Sequence, residues 1–351
     1  MDIENFISQT ISCDSIIAVE TIQTLWSGYG AIVRYRLEGQ TCPASIVVKS
    51  IRPPKQTQHP RGWNTSASHQ RKLLSYRVEA NWYHIWSKMC AEDFRVPICY
   101  GLTSHDRVYA AVGAYDVHSP RIDSDSAAII LLSDLDAEGF PMRHQRLTLE
   151  QTKVCIEWLA NFHGHFMQDS PQENWPQGLW KQGCYWHLDT REDEYLAMPD
   201  SSLKQSAHRL DALLSQTRFK TLIHGDAKVA NFCFSEDSSR VAAVDFQYVG
   251  GGCGIRDLVY FIGSCLSEQE CRQHHAPLTS FYFTKLKQAM INNNVSISAA
   301  AVEQEWRPLF GVAWADFQRF LLGWAPDHHK NNDFSRHMTN QALNRLPQDT
   351  A

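Results

Sequence analysis

The sequence predicts an α+β protein, because segments with strand patterns and segments with helix periodicity both recur along its 351 residues. Short apolar runs bounded by turn residues predict strands, at residues 21–26, 31–37, 45–49, 127–132 and 221–223. Apolar residues recur at steps of three and four in two longer segments, residues 69–86 and 148–166, which predicts helices. No internal repeat is evident.

The most informative stretch contains Asp226, Asn231 and Asp245 in that order. Asn231 and Asp245 flank a strand-turn-strand pattern, and such a hairpin would bring them together at one end. Metal-assisted phosphoryl transfer needs this set: one carboxylate receives the proton of an attacking hydroxyl, while an amide and a second carboxylate hold Mg²⁺. The alternative is a buried hairpin whose Asp and Asn side chains only cap turns.

A site of this kind also needs a lysine that faces the nucleotide phosphates and a carboxylate that holds it. Lys49 lies near the end of an apolar strand, and Glu79 lies beside the apolar face of the helix at residues 69–86. We expect Glu79 to pair with Lys49 and to aim its ammonium group at the α/β-phosphates. The alternatives are a lysine that protects a sheet edge and a solvated helix glutamate.

Two glycines, Gly28 and Gly30, lie at the tip of a predicted strand-turn-strand unit near the N-terminus. Glycine lets a backbone approach phosphate closely, so both are candidate nucleotide-binding residues. A plain hairpin turn explains them nearly as well, and the full pattern GxGxxG is absent.

The segment His-Gly-Asp-x4-Asn at residues 224–231, followed by a hydrophobic strand and Asp245-Phe246, resembles the aminoglycoside phosphotransferase and choline kinase superfamily. Residues 72–79 carry Lys-x2-Ser-Tyr-x2-Glu and resemble its ecdysteroid-kinase-like branch. The resemblance spans about residues 25–265. It implies a two-lobed protein-kinase-like fold. The N-terminal lobe, residues 1–134, would be an antiparallel sheet with one main helix, and the larger, mostly helical C-terminal lobe would be residues 135–351.

The resemblance also implies roles for individual residues. Residues 133–139 would form the hinge, where Ser133 and Leu135 meet the adenine through backbone groups; the alternative is an ordinary strand-to-helix loop. His224 would brace the catalytic loop by hydrogen bonding, and Asp257 would brace the same loop, unless it simply caps a helix. Gln247 stands where protein kinases have glycine, which argues against a flipping activation loop.

The implied reaction uses ATP, with GTP as the alternative, and Mg²⁺ bound by Asn231 and Asp245. Asp226 would orient the hydroxyl of a small acceptor and accept its proton. Choline, an amino sugar, a steroid alcohol and a sugar all stay open as acceptors. The aromatic segment at residues 174–187 would line the acceptor pocket or belong to the core. The acidic residues that follow would attract a cationic acceptor or form a solvated face, which is favoured: Asp189, Glu192, Asp193 and Glu194.

Composition agrees with this class of protein. The net charge is −5 and no dense basic cluster suggests nucleic acid as a partner. We expect no membrane partner, since no apolar run is long enough to span a bilayer and the acidic N-terminus is unlike a signal peptide. The ten irregularly spaced cysteines predict reduced thiols in a cytoplasm. The sequence makes no prediction of oligomeric state.

Two other functions stay open at this stage. One is a non-catalytic nucleotide or metabolite sensor on the same fold, which the complete set of Asp226, Asn231 and Asp245 argues against. The other is a protein kinase, which the lack of an activation loop after Gln247 argues against. A zinc site at His163 is not expected, because the spacing of its neighbouring histidine does not suit a helical metal pair.

Overall fold

The computed structural model describes residues 2–25, 28–53, 66–104, 107–110 and 127–346. The chain divides into two compact units. The first unit contains residues 1–142 and 233–247, and the second contains residues 143–232 and 248–351. The lobe boundary at residues 134 and 135 and the hinge at residues 133–139 stay predictions.

Strands dominate the first unit, and helices dominate the second. The strands are β1 Ser15–Thr24, β2 Gly30–Glu38, β3 Ser45–Ile51, β4 Cys99–Ser104, β5 Arg107–Ala110, β6 Ala128–Ser133, β7 Gln168–Asp169, β8 Phe219–Ile223, β9 Phe232–Phe234, β10 Val241–Ala243 and β11 Gly250–Gly252. The α-helices are α1 Ile3–Thr10, α2 Ser66–Asn81, α3 Leu149–His165, α4 Glu192–Ala197, α5 Ser202–Gln205, α6 Ala207–Ser215, α7 Ile255–Cys265, α8 Glu268–Asn292, α9 Ala299–Trp306, α10 Phe310–Trp324 and α11 Asp333–Arg345.

The first unit is built on an antiparallel sheet with the strand order β1-β2-β3-β6-β4-β5. The predicted strands before residue 135 fall on β1, β2, β3 and β6. Strand β1 begins earlier than the pattern indicated, and residue 26 at the end of that predicted strand lies outside the described residues. Strands β4 and β5 and the short helix α1 were not predicted.

Side-chain alternation decides what each face of β3 contacts. Ile46 and Val48 are buried in a hydrophobic cluster with Phe6 and Ile7 of α1 and Leu131 of β6. Because successive side chains of a strand point to opposite faces, Lys49 points to the face opposite α1. Strand β3 thus presents apolar side chains to the hydrophobic cluster on one face and the charged Lys49 on the other.

Helix α2 covers much of the predicted helix at residues 69–86 and continues into a π-helical turn at Trp82–Trp86. Strands β9 and β10 pair in the predicted hairpin. Cys233 and Ala242 of that hairpin pack with Leu135 and Phe140 of the same unit.

The second unit is mainly helical, with a small sheet of order β11-β8-β7. Helix α3 begins as predicted from residue 148, where a capping box explains the start: Thr148 Oγ1 accepts from the Gln151 backbone N–H at 3.2 Å, and Gln151 Oε1 accepts from the Thr148 N–H at 2.9 Å. Strand β8 confirms the strand predicted at residues 221–223 and leads directly into the loop that contains Asp226. Within the described part of the chain, every helix is too short or too polar to cross a membrane.

Candidate active site

The lysine at the predicted position makes a buried ion pair. The Lys49 Nζ atom lies 2.8 Å from Glu79 Oε1 and 2.6 Å from Oε2, and both residues are almost fully buried. Asp245 Oδ1 lies 3.7 Å from the same ammonium group. Burial alone would lower the pKa of Lys49, but the charges of Glu79 and Asp245 outweigh it and raise the pKa. The ammonium therefore stays charged near neutral pH.

The segment that carries Asp245 is held by helix α2 and the turn after it. Gln247 Nε2 donates to Asp245 Oδ1 at 2.7 Å, and Gln247 Oε1 accepts from Lys72 Nζ at 2.8 Å and from Ser75 Oγ at 3.2 Å. Phe246 is buried and stacks on Trp82, with ring centroids 4.4 Å apart.

Lys72, Ser75 and Glu79 are spaced at i, i+3 and i+7, so they share one face of α2. One helix face therefore holds Lys49 directly and Asp245 through Gln247. Asp245 itself has a φ of 67°, a left-handed conformation that aspartate tolerates better than most residues.

Gly28 lies between β1 and β2, and Gly30 is the first residue of β2; their φ values are 76° and 136°. A Cβ atom on Gly30 would collide with the backbone carbonyl of Ser50 in β3. Packing on β3 therefore explains Gly30 without a ligand, whereas no atom of the described residues lies within 4 Å of the Cβ position of Gly28. Phosphate binding by these two residues stays a prediction.

The predicted hinge contains an ion-pair network that the sequence did not reveal. Arg34 Nε donates to Asp134 Oδ2 at 2.8 Å and Arg34 Nη2 donates to Asp136 Oδ2 at 2.5 Å. Ser133 is buried, and its hydroxyl accepts from the backbone N–H of Ile98. Leu135 is buried in the cluster with Phe140. Adenine binding through the backbone of Ser133 and Leu135 stays a prediction.

The loop after β8 is fixed by backbone bonds to one buried carboxylate. Asp257 Oδ2 accepts from the backbone N–H of His224 at 2.6 Å, and Oδ1 accepts from that of Gly225 at 2.9 Å. His163 Nε2 lies 3.2 Å from Asp257, and its Nδ1 lies 2.8 Å from the Tyr282 hydroxyl. Asp257 makes no side-chain capping hydrogen bond to α7, so its carboxylate acts as a hydrogen-bond acceptor for the loop. His163 is a fully buried core residue, as expected.

Gly225 is required by the same loop. Its φ is 78°, and a Cβ atom there would collide with the backbone carbonyl of Tyr248. A side chain at this position would therefore have to displace backbone as well as adopt a strained conformation. His224 is fully buried, and its Nδ1 accepts from the backbone N–H of Asp226 at 3.2 Å.

Replacing Asp257 with asparagine is expected to reduce the free energy of unfolding by about 1–3 kcal/mol. The amide has one oxygen in place of two, so a buried backbone N–H of the loop loses its acceptor. Urea denaturation measures the change. Asp333→Asn, at an exposed position in the first turn of α11, is the matched control and should change stability by less than about 1 kcal/mol. Equal stability of the two variants would contradict the bracing role.

Asp226 is nearly buried, and its two carboxylate oxygens differ. Oδ2 accepts from Lys228 Nζ at 2.9 Å and from Asn231 Nδ2 at 3.1 Å, and the same amide also donates to the Asp226 backbone carbonyl at 2.8 Å. Within the described part of the chain, Oδ1 is buried and has no hydrogen-bond partner. One oxygen is thus held in place while the other keeps its capacity to accept a proton.

The two predicted metal ligands have the chemistry that Mg²⁺ requires. The Asn231 amide nitrogen donates to Asp226, which orients the amide and leaves its carbonyl oxygen as a possible ligand. The Asp245 side chain is about one-third exposed, so its carboxylate is accessible. Mg²⁺ prefers oxygen ligands and keeps phosphate or water in the rest of its shell. The residues present therefore fit this ion, and their closeness to each other stays a prediction.

The aromatic segment at residues 174–187 is partly core. Trp186 is fully buried and its indole N–H donates to Asp316 at 3.2 Å, whereas the Tyr185 ring is only partly buried. Of the acidic residues that follow, Asp189 and Glu192 are exposed. Glu194 is an exception to the predicted solvated face, because it is buried and accepts from Arg191 Nη1 at 3.0 Å. The buried Arg191 guanidinium explains this burial, since it supplies the opposite charge.

The sequence did not indicate a role for Lys228 or Arg34, and it did not indicate the hydrogen bonds of Gln247. Lys228 lies two residues after Asp226, and that closeness was an available signal. Arg34 is separated from Asp134 by 100 positions, and nothing local connects them. For Gln247, the sequence indicated only that this residue stands where protein kinases have glycine.

Comparison with solved structures shows what this architecture resembles. A choline kinase from Cryptosporidium parvum aligns with a TM-score of 0.51 and 10% identity, over 98% of this chain and 95% of the other. A microcompartment-associated aminopropanol kinase aligns with a TM-score of 0.47 and 13% identity, over 97% and 93% of the two chains. A macrolide 2'-phosphotransferase from Brachybacterium faecium aligns with a TM-score of 0.42 and 13% identity, over 98% of each.

The predicted two-lobed, protein-kinase-like α+β fold is therefore confirmed. Within that class, residues 182–294 match the ecdysteroid kinase-like family. The predicted resemblance to the ecdysteroid-kinase-like branch is confirmed over residues 182–294, and the choline kinase structure shows the same fold. A search of curated protein sequences found no match.

Proposed function

We propose that this chain is an ATP-dependent kinase that transfers the γ-phosphoryl group to a hydroxyl group of a small acceptor molecule. The observation that carries the proposal is the state of Asp226, a nearly buried carboxylate. One of its oxygens is held by Lys228 and Asn231, and the other has no hydrogen-bond partner among the described residues. The kinase-like fold and the match of residues 182–294 to the ecdysteroid kinase-like family support the same class of reaction.

In the proposed reaction the acceptor hydroxyl approaches Asp226 Oδ1. A bond forms between the acceptor oxygen and the γ-phosphorus, the bond from that phosphorus to the leaving oxygen of ADP breaks, and the hydroxyl proton passes to Asp226. Such a transition state is loose, so positioning and charge neutralisation supply most of the catalysis. Lys228 and Asn231 hold Asp226 in one orientation, and His224, Gly225 and Asp257 hold the loop.

Lys49 would contact the α/β-phosphates, with Glu79 fixing its ammonium group. Asn231 and Asp245 would hold Mg²⁺, which neutralises charge on the nucleotide phosphates when bound. ATP is preferred over GTP only by analogy with the class, so both nucleotides belong in the tests. The acceptor is an alcohol on a small molecule rather than a protein side chain. Gln247 bonds the Asp245 segment to α2, and a segment fixed in this way is not expected to act as a movable activation loop.

Gln247→Ala is expected to raise the Mg²⁺ concentration that gives half-maximal nucleotide stabilisation by about 10–100-fold, the usual effect of removing a residue that orients a metal ligand. Alanine removes both the donor to Asp245 and the acceptor for Lys72. The measurement is the Mg²⁺ concentration that gives half-maximal nucleotide stabilisation. Arg77→Met, on an exposed position of α2, is the control. An unchanged Mg²⁺ dependence in Gln247→Ala would show that Asp245 is oriented by other groups.

The first test of the proposed function is nucleotide binding. ATP, GTP and ADP should each raise the thermal stability of the wild type only with Mg²⁺, and saturation at about 100 times the dissociation constant adds about 2.7 kcal/mol. ADP release with a panel of alcohols then tests transfer. Absence of stabilisation by every nucleotide would reject the kinase function and favour a protein that binds other metabolites.

A further inference from the structure

An arginine on strand β2 lies on the same face of the six-stranded sheet as Lys49. Arg34 is paired with Val47 of β3, and Val47 is paired with Leu132 of β6. Residues directly opposite each other in an antiparallel pair share a face. Val47 is two residues before Lys49, so these two side chains also share a face. Arg34 therefore belongs to a row across the sheet that lies next to the row containing Lys49.

The guanidinium group of Arg34 is held by carboxylates on three sides. Its Nε donates to Asp134 Oδ2 at 2.8 Å, its Nη2 donates to Asp136 Oδ2 at 2.5 Å, and its Nη1 pairs with Glu20 of β1. Because every nitrogen of this rigid fork is engaged, the group cannot turn without breaking bonds. The Asp134 side chain is almost fully buried, and a buried carboxylate needs a paired charge. Arg34 therefore fixes Asp134 in place.

Asp134 and Asp136 lie on either side of Leu135. The Asp134 carboxylate also accepts from Ser45 Oγ at 2.7 Å and from the backbone N–H of Asp136 at 3.2 Å. The Leu135 carbonyl accepts from the backbone N–H of Phe140 at 2.8 Å. Within the part of the chain that the structure describes, the Leu135 N–H donates to no protein group, although the residue is buried. Buried backbone N–H groups are nearly always paired, so this donor is available to a ligand.

We propose that Arg34 is a positioning residue for the nucleotide, which holds residues 134–136 so that the Leu135 N–H meets an acceptor atom of the base. This inference rests on the proposed kinase function and concerns the base end of the nucleotide. Lys49 is expected to contact the phosphates, and the row that contains Arg34 lies closer than Lys49 to residues 134–136. Loss of Arg34 should therefore weaken the contacts of the base and leave those of the phosphates unchanged.

Two measurements on the full chain separate the two ends of the nucleotide. The dissociation constant of ATP, measured by calorimetric titration at saturating Mg²⁺, includes the contacts of the base. The Mg²⁺ concentration that gives half-maximal stabilisation at saturating ATP reports on the phosphate end. Arg34→Met should raise the ATP dissociation constant by about tenfold, the effect of losing one good hydrogen bond. It should leave the Mg²⁺ concentration for half-maximal stabilisation unchanged.

A conservative variant and a matched control complete the series. Arg34→Lys keeps a positive charge beside Asp134 but lacks the fork that reaches both acids, so it should weaken ATP binding by only about threefold. Arg36→Met should bind ATP as the wild type does, because Arg36 is an exposed arginine on the same strand and the same face. Urea denaturation without nucleotide shows whether each variant is folded. If Arg34→Met is unfolded, the comparison of Arg34→Lys with the wild type decides.

Two results would overturn the role of Arg34. The first is an unchanged ATP dissociation constant in Arg34→Met, or in Arg34→Lys where only that variant folds. The second is a loss of ATP affinity that is matched by an equal rise in the Mg²⁺ concentration required, which would indicate a general disturbance of the sheet. Failure of the proposed function is distinguishable from both, because the wild type itself would then bind no nucleotide.

Discussion

Asp226→Asn is expected to lower turnover by about 10²–10⁴-fold, the usual contribution of a positioned general base, while nucleotide affinity stays within about twofold. Asparagine has nearly the same shape, so the loop held by Asp257 should keep its conformation. An amide cannot accept the proton of the acceptor hydroxyl, and it no longer carries the charge that pairs with Lys228. The loss should therefore appear in the chemical step.

ADP release measures turnover, and thermal stabilisation by Mg²⁺ with ATP measures nucleotide affinity. Asp327→Asn, an exposed position in the same unit, is the control for a lost carboxylate. Full turnover in Asp226→Asn would remove this residue from the reaction. A parallel loss of nucleotide affinity would instead indicate that the substitution disturbed the loop.

Asp245→Ala should abolish the Mg²⁺-dependent part of nucleotide binding. At a nucleotide concentration about 100 times the wild-type dissociation constant, the wild type gains about 2.7 kcal/mol, and a hundredfold weaker variant keeps only about 0.4 kcal/mol of that gain. The Lys49–Glu79 pair should survive, because its two hydrogen bonds do not involve Asp245. The variant should therefore fold and still lack the Mg²⁺-dependent part of the stabilisation by nucleotide.

Thermal melts with and without Mg²⁺ make the measurement. Glu236→Ala is the matched control, because Glu236 is an exposed acid in the turn between β9 and β10. If Asp245→Ala keeps the full Mg²⁺-dependent shift, the carboxylate is not a metal ligand, and Asn231 together with other groups must hold the ion.

Much of the fold was predictable because its signals are local. The start of α3 follows from Thr148 and Gln151, which are three residues apart and satisfy each other's backbone groups. The pairing of Lys49 with Glu79 joins residues 30 positions apart. It was expected because a strand lysine and a helix glutamate preceded His-Gly-Asp in the order that phosphoryl transfer needs. The resemblance to a known family then joined these segments into one fold.

Other parts of the site were beyond local patterns. The Arg34–Asp134 and Arg34–Asp136 bonds join residues from distant elements, and each residue alone is indistinguishable from an ordinary surface charge. Glu194 illustrates the resulting error, because its neighbours indicated a solvated face, whereas Arg191 allows it to be buried. Gly30 was a candidate for phosphate binding, and only the packing of Ser50 against it supplied another reason.

The sequence by itself determined the class of fold and the candidate set of reactive residues, because Asp226, Asn231, Asp245 and Lys49 lie in short segments whose order and patterning are specific. Tertiary structure alone decided which oxygen of Asp226 has no hydrogen-bond partner among the described residues, and which buried carboxylates are neutralised by a nearby cation. The physical reason is that burial and net local charge are sums over side chains from many elements. Such sums exist only after the chain has brought those elements together.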